Sequence, residues 1–115
     1  MKNQNKFTSK CEKYIDSLKL VFDEDVYREM EEFSEVLKES WDKNKNIYIC
    51  GNGGSAANAI HVANDFIYGV GTYGDLPFKK GMNFEALTAN VAVITCLAND
   101  TGYETIFSSQ LEVKA

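Results

Sequence analysis

The sequence predicts an α/β fold with a parallel sheet. Three observations predict it. Residue patterning gives the order helix, helix, strand, helix, strand, helix, helix, and strands that alternate with helices pair in parallel. The run Ile47-Tyr48-Ile49-Cys50 is short, rich in β-forming residues and free of polar alternation, as expected of a strand buried on both faces. It leads directly into Gly51-Asn52-Gly53-Gly54-Ser55, a glycine-rich turn opening a helix.

The elements follow in order. Residues 8–22 carry Cys11, Tyr14, Ile15, Leu18 and Val21 or Phe22 at helical spacing. Asp23-Glu24-Asp25 suits a new helix start, where negative charge meets the positive end of the dipole. Val26, Met30, Phe33, Val36, Leu37 and Trp41 then mark an amphipathic helix over 24–42, with Phe33 and Trp41 expected in core packing. Asn44-Lys45-Asn46 breaks the pattern before the first strand. After the turn, Ala56 to Tyr68 reads as helix. Gly69 to Gly81 holds four glycines and the only proline, Pro77, and reads as a loop. Asn83 to Thr88 is the second strand. Val91 to Ala98 is read as helix, because it follows that strand too closely to be its parallel neighbour. Tyr103 to Lys114 closes the chain as a helix, with Ile106, Phe107, Gln110 and Leu111 along one side. A sheet of two parallel strands is thin and has exposed edges, so the chain reads as the first part of a longer domain.

Composition excludes several classes. The 115 residues suffice for one small domain, and 44% hydrophobic with 25% charged residues is ordinary for a globular chain. The net charge of −5 opposes nucleic-acid binding, and the only local basic pair is Lys79-Lys80. No apolar run approaches the roughly 20 residues of a membrane span, so no membrane partner is expected. The N-terminal Met1-Lys2-Asn3-Gln4-Asn5-Lys6 has no apolar core after it, so no signal peptide is expected. Cys11, Cys50 and Cys96 are few and widely spaced, which points to a reducing cytoplasm rather than a disulfide scaffold.

The glycine-rich turn can cradle a phosphate. Gly51, Gly53 and Gly54 allow close approach to the main chain, and the first amides of the following helix lack internal partners. Ser55 can cap the helix or offer its hydroxyl, and Asn52 can donate to a ligand hydroxyl. The alternative is a tight structural turn with Ser55 as an ordinary N-cap. Ala57 stands where the third glycine of a dinucleotide fingerprint would fall, and no Walker lysine follows Gly54. Further along, His61, the only histidine, and Asp65 lie four apart on one helix face, with Asn58 three before His61. Such a pair can hold a metal, move a proton, or simply form a surface hydrogen bond.

Gly51-Asn52-Gly53-Gly54-Ser55-Ala56-Ala57-Asn58-Ala59, then His61, Ala63 and Asp65, resembles the sugar isomerase (SIS) domain family, and within it the phosphoheptose isomerases. Ala86-Leu87-Thr88, Leu97-Ala98-Asn99-Asp100, Gly102-Tyr103-Glu104, Phe107-Ser108 and Gln110 follow that branch in order, so the resemblance spans nearly the whole chain. It implies the N-terminal part of a flavodoxin-like three-layer α/β/α sandwich with a parallel sheet, preceded by two helices. Residues 1–115 would then be one partial SIS domain, with 1–42 a helical segment used in dimer or tetramer assembly and 46–115 the start of the α/β core.

The resemblance further implies a heptose 7-phosphate substrate and aldose–ketose isomerisation through an enediol. Asn52, Gly53, Gly54, Ser55, Asp65, Asn99 and Asp100 would bind substrate, and Asp65 would be the catalytic base. His61 and Asp65 would be ligands of a zinc ion that polarises the carbonyl. The sequence departs from the family in three ways. Asp65 replaces the usual Glu and is one methylene shorter. No basic residue stands near Tyr68-Gly69. The second phosphate loop, the remaining metal ligands and the partner acid/base would lie beyond Ala115, so this chain by itself is expected to lack turnover. A non-catalytic sugar-phosphate-binding protein, of the replication initiator-associating type, is the alternative, and a pure assembly module a third.

Overall fold

The computed structural model describes residues 2–72 and 80–115. Pro77 and Lys79 lie outside the described residues. The chain divides into two compact units, Met1–Lys38 and Glu39–Ala115.

The first unit is helical. Helix α1 spans Lys2–Lys19 and helix α2 spans Glu24–Asp42, its last residues belonging to the second unit. Asp23 caps α2 as its position suggests, its Oδ1 accepting from the Val26 N–H at 3.0 Å. The apolar stripe of α2 is not core. Phe33 is 64% exposed, and Met30 and Val36 are also exposed, contrary to the expectation of packing at Phe33. Two helices alone present too little surface to enclose their own apolar faces. Trp41 is half-buried, and in the second unit its indole N–H donates to the Lys80 carbonyl at 2.7 Å.

The second unit holds the sheet. Strand β1 is Asn46–Ile49 and strand β2 is Asn83–Ala86, paired in parallel with Ile47 opposite Phe84 and Ile49 opposite Ala86. Cys50 lies just past β1 rather than in it, and Ile47, Tyr48 and Ile49 are half-buried rather than buried on both faces. Only β2 flanks β1 among the described residues, so the strand keeps an uncovered edge. The second strand is shorter than expected, because Leu87 and Thr88 enter a turn closed by Ala89 N–H to Ala86 O at 3.0 Å.

A parallel pair needs a crossover, and helix α3, Gly54–Asn64, supplies it. Its Ala59 and Ala63 are buried, as are Phe84 and Ala86 on alternate positions of β2. Met82, Leu87 and Ile106 complete this small core. The helix does not stop near Tyr68. It passes into a π-helical turn, Asp65–Gly69, and then into the short helix α4, Val70–Thr72. The expected loop from Gly69 therefore begins as helix, because the wider turn carries the spiral on instead of ending it.

Helix α5, Val91–Asp100, forms where expected, with Asn90 as N-cap accepting from Val93 N–H at 3.2 Å. The last segment is not one helix. A 3₁₀ turn, Tyr103–Thr105, precedes helix α6, Ser108–Lys114. Threonine hydroxyls compete with the helix there. Thr105 Oγ1 lies 2.7 Å from Thr101 Oγ1 and donates to Gly102 O at 2.9 Å. The end of α6 meets the sheet through Lys114, whose amine pairs with Glu85 and whose carbonyl accepts from Tyr48.

Candidate functional site

The glycine-rich turn connects β1 to α3 at the carboxyl end of the strand, where open parallel sheets bind ligands. Its glycines have distinct reasons. Gly53 sits at φ 56°, a conformation that side chains disfavour. Gly51 runs against the first turn of α3, where a Cβ would lie 2.7 Å from Ser55 atoms. The helix begins at Gly54 with Gly53 in the cap position, and no side chain caps it. Ser55 is therefore not the N-cap that its type suggested. Its amide already bonds Asn52 O at 3.0 Å and the Ala56 amide bonds Gly53 O at 3.1 Å, closing the turn from within. The side chains of Asn52 and Ser55 are exposed and accessible to a ligand.

His61 and Asp65 meet as their spacing predicts. Nε2 of His61 is 3.5 Å from Oδ2 of Asp65, with side chains 77% and 58% exposed. A helix rises about 1.5 Å per residue, so the pair lies roughly 9–15 Å along α3 from Ser55. Asp65 also opens the π-helical turn, and a cavity of about 530 Å³ has Asp65, Phe66, Gly69 and Val70 in its wall. A zinc site takes three or four protein donors. Among the described residues no group of three or more His, Cys, Asp or Glu stands together. The pair supplies two donors and does not by itself make a metal site.

Asn99 and Asp100 end α5 and are exposed. The Asn99 amide donates to Asp100 Oδ1 at 2.7 Å, and the Cys96 thiol donates to Oδ2 at 3.3 Å. These two bonds, Asn99 first, hold the Asp100 carboxyl below its ordinary range. The same Asp100 bond, followed by its charge, pushes the Cys96 thiol up. No hydrogen bond or ion pair among the described residues links Asn99 and Asp100 to the turn or to His61 and Asp65. Cys96 stands one helical turn before Asp100, and that spacing places its thiol against the carboxylate.

The sequence pattern that defines the SIS domain matches residues 11–115. The chain belongs to the SIS domain family. This SIS chain is 37% identical over 93 residues to a phosphoheptose isomerase of Aneurinibacillus thermoaerophilus, covering 81% of this chain and 44% of that protein. It is 33% identical over 102 residues to a phosphoheptose isomerase of Synechocystis, covering 88% and 50%. It also superposes on the solved phosphoheptose isomerase of Neisseria gonorrhoeae with a TM-score of 0.73 and 25% identity, covering 96% of this chain and 53% of that one. The chain spans about half the length of the curated relatives it matches. Its parallel sheet, with helices before and between the strands, matches the SIS α/β fold.

Proposed function

We propose that this SIS protein is a sugar-phosphate isomerase of the phosphoheptose type, interconverting sedoheptulose 7-phosphate and a manno-heptose 7-phosphate. One observation carries the reading: the glycine-rich turn opens helix α3, and His61 on α3 meets Asp65 just past its end, so one continuous helical segment can face both ends of one substrate. The relatives of known name support the choice of sugar.

In this reading the Gly53 and Gly54 amides and the Ser55 hydroxyl receive the phosphate, helped by the positive end of α3. Asn52 donates to a sugar hydroxyl, and Asn99 and Asp100 contact the sugar. Asp65 takes the proton next to the carbonyl, which gives the enediol, and an acid must return one at the neighbouring carbon. His61 orients Asp65. Were zinc bound, His61 and Asp65 would be two of its donors, and the chemistry it would supply is polarisation of the substrate carbonyl. The reading also places the protein in the cytoplasm, in keeping with its free, exposed cysteines. It makes the protein a homo-oligomer, in keeping with the exposed stripe on α2. With a net charge of −5, nucleic acid is not a partner.

The test is binding followed through the amide signals of Gly53, Gly54 and Ser55. Sedoheptulose 7-phosphate should displace them, and unphosphorylated sedoheptulose should not. Equal responses to the two sugars, or none to either, would overturn the reading. Because this chain by itself is expected to lack turnover, Asp65→Asn is read by binding. The phosphate response of Gly53, Gly54 and Ser55 should persist and the response at the His61 ring should change, and an unchanged response at both removes Asp65 from the site.

A further inference from the structure

The π-helical turn is held in place by the strand that follows it. In an α-helix the Val70 amide would bond the carbonyl four residues back, that of Phe66. Here its acceptors are the carbonyls of Asp65, five residues back, and Tyr68, not that of Phe66. The Phe66 carbonyl is skipped, and the Met82 amide takes it at 2.8 Å. Met82 is buried and leads directly into β2. The Phe66 ring stacks on Phe84 of the same strand, centroids 5.0 Å apart.

The approach is close enough to demand glycine. A Cβ on Gly81 would lie 1.7 Å from the Ile67 carbonyl oxygen, 2.4 Å from its carbon and 3.0 Å from the Phe66 oxygen. All three atoms are backbone, so no side chain can swing away to make room. The backbone at 81 and 82 therefore works as a latch on the first residues of the turn. The residue that opens the turn is Asp65.

We propose that Gly81 is a positioning residue for Asp65. It acts through the π-helical turn, by letting the β2 lead-in seat against Phe66 and Ile67. Its consequence for catalysis rests on the reading of Asp65 as the base, but its structural content does not.

The experiment uses the isotope-labelled chain and its one histidine as reporter. Gly81→Ala should displace the His61 ring signals and the Asp65 carboxyl carbon. It should leave the Gln110 side-chain amide, bonded to Leu87 O and Ile106 O, where it is. Gly69→Ala is the control, because a Cβ there meets nothing within 4 Å among the described residues. Unmoved His61 and Asp65 signals in folded Gly81→Ala would overturn the proposal, as would equal displacement by Gly69→Ala. Should Gly81→Ala not fold, hydrogen exchange on the unaltered chain decides. The Met82 amide should exchange as slowly as that of Leu87, bonded to Ile49 O at 2.9 Å, and exchange at the rate of an open amide refutes the latch. If Gly53, Gly54 and Ser55 respond equally to phosphorylated and unphosphorylated sugar while the Gly81→Ala signals move as expected, the functional reading fails and the latch stands.

Discussion

Gly51→Ala is the most direct test of how the candidate phosphate turn is built. Carbon atoms in contact settle at about 3.5–4.0 Å. The added Cβ would meet the Ser55 carbonyl carbon, oxygen and Cβ all at 2.7 Å. The first turn of α3 would have to move by roughly an ångström to restore normal contact, and forced overpacking of this kind costs about 1–3 kcal/mol. In a domain of this size each kcal/mol lowers Tm by roughly 4–8 °C, so a loss of about 2 kcal/mol corresponds to about 8–16 °C. Far-UV circular dichroism during heating measures it. Gly54→Ala is the matched control, since a Cβ there meets nothing within 4 Å among the described residues and α3 has already begun. Replacing a helical glycine by alanine is worth up to about 1 kcal/mol in the favourable direction. The sugar-phosphate response of the Gly53 and Gly54 amides should weaken in Gly51→Ala, because the displaced turn no longer aims them. A Gly51→Ala protein that melts within about 2 °C of the unaltered chain would refute the close-approach argument. So would a Gly54→Ala protein that is the less stable of the two.

Two further outcomes follow from the remaining polar contacts. Gln110 is 6% exposed and its amide serves two carbonyls, Leu87 O at 3.1 Å and Ile106 O at 2.7 Å. Gln110→Met keeps the shape but leaves buried acceptors bare, and urea unfolding should show a loss of about 1–3 kcal/mol. At the end of α5, Asn99→Ala removes the largest cause of the lowered Asp100 pKa, so a carboxyl-carbon titration should show that group moving up toward its ordinary value. The sign of the linkage is fixed by the direction. A depressed carboxyl adds stability above its unfolded pKa and loses it as pH falls through the folded value, so this small acid-side contribution should shrink in Asn99→Ala. In the same cluster, Asp100→Asn should speed alkylation of Cys96 at fixed pH, because the carboxylate now favours the neutral thiol.

Much of the fold can be read from residue spacing alone. Helix α2 falls on Glu24–Asp42 as its apolar period and acidic start predict, and α5 begins at Val91. These are local signals, strong in a single window. The parts that escape reading depend on distant partners. The π-helical turn leaves no mark in the pattern of Asp65 to Gly69, and the amide bonded to its Phe66 carbonyl belongs to Met82, far along the sequence. The break before α6 arises from hydroxyl bonds between Thr101, Thr105 and Gly102 that composition does not announce. At the candidate site the His61–Asp65 contact was legible because i, i+4 spacing is a geometric rule. Which of its two possible roles Ser55 plays was not, and the capping alternative falls because a glycine with positive φ takes the cap position one residue before the helix. The exposure of Phe33 shows the remaining limit: an apolar stripe tells which face seeks cover, not whether this chain provides it.

The indole of Trp41 has a practical consequence. It is the one tryptophan of the chain, it lies in the Glu39–Ala115 unit, and its N–H is tied to the carbonyl of Lys80, next to Gly81. Its emission therefore reports on the sheet-bearing unit, while the residues before Lys38 carry only phenylalanine and tyrosine. Melting followed by fluorescence and by ellipticity would coincide if the two units unfold together. If they separate, the optical signal times the release of the segment entering β2, and the ellipticity alone records the fraying of α1 and most of α2.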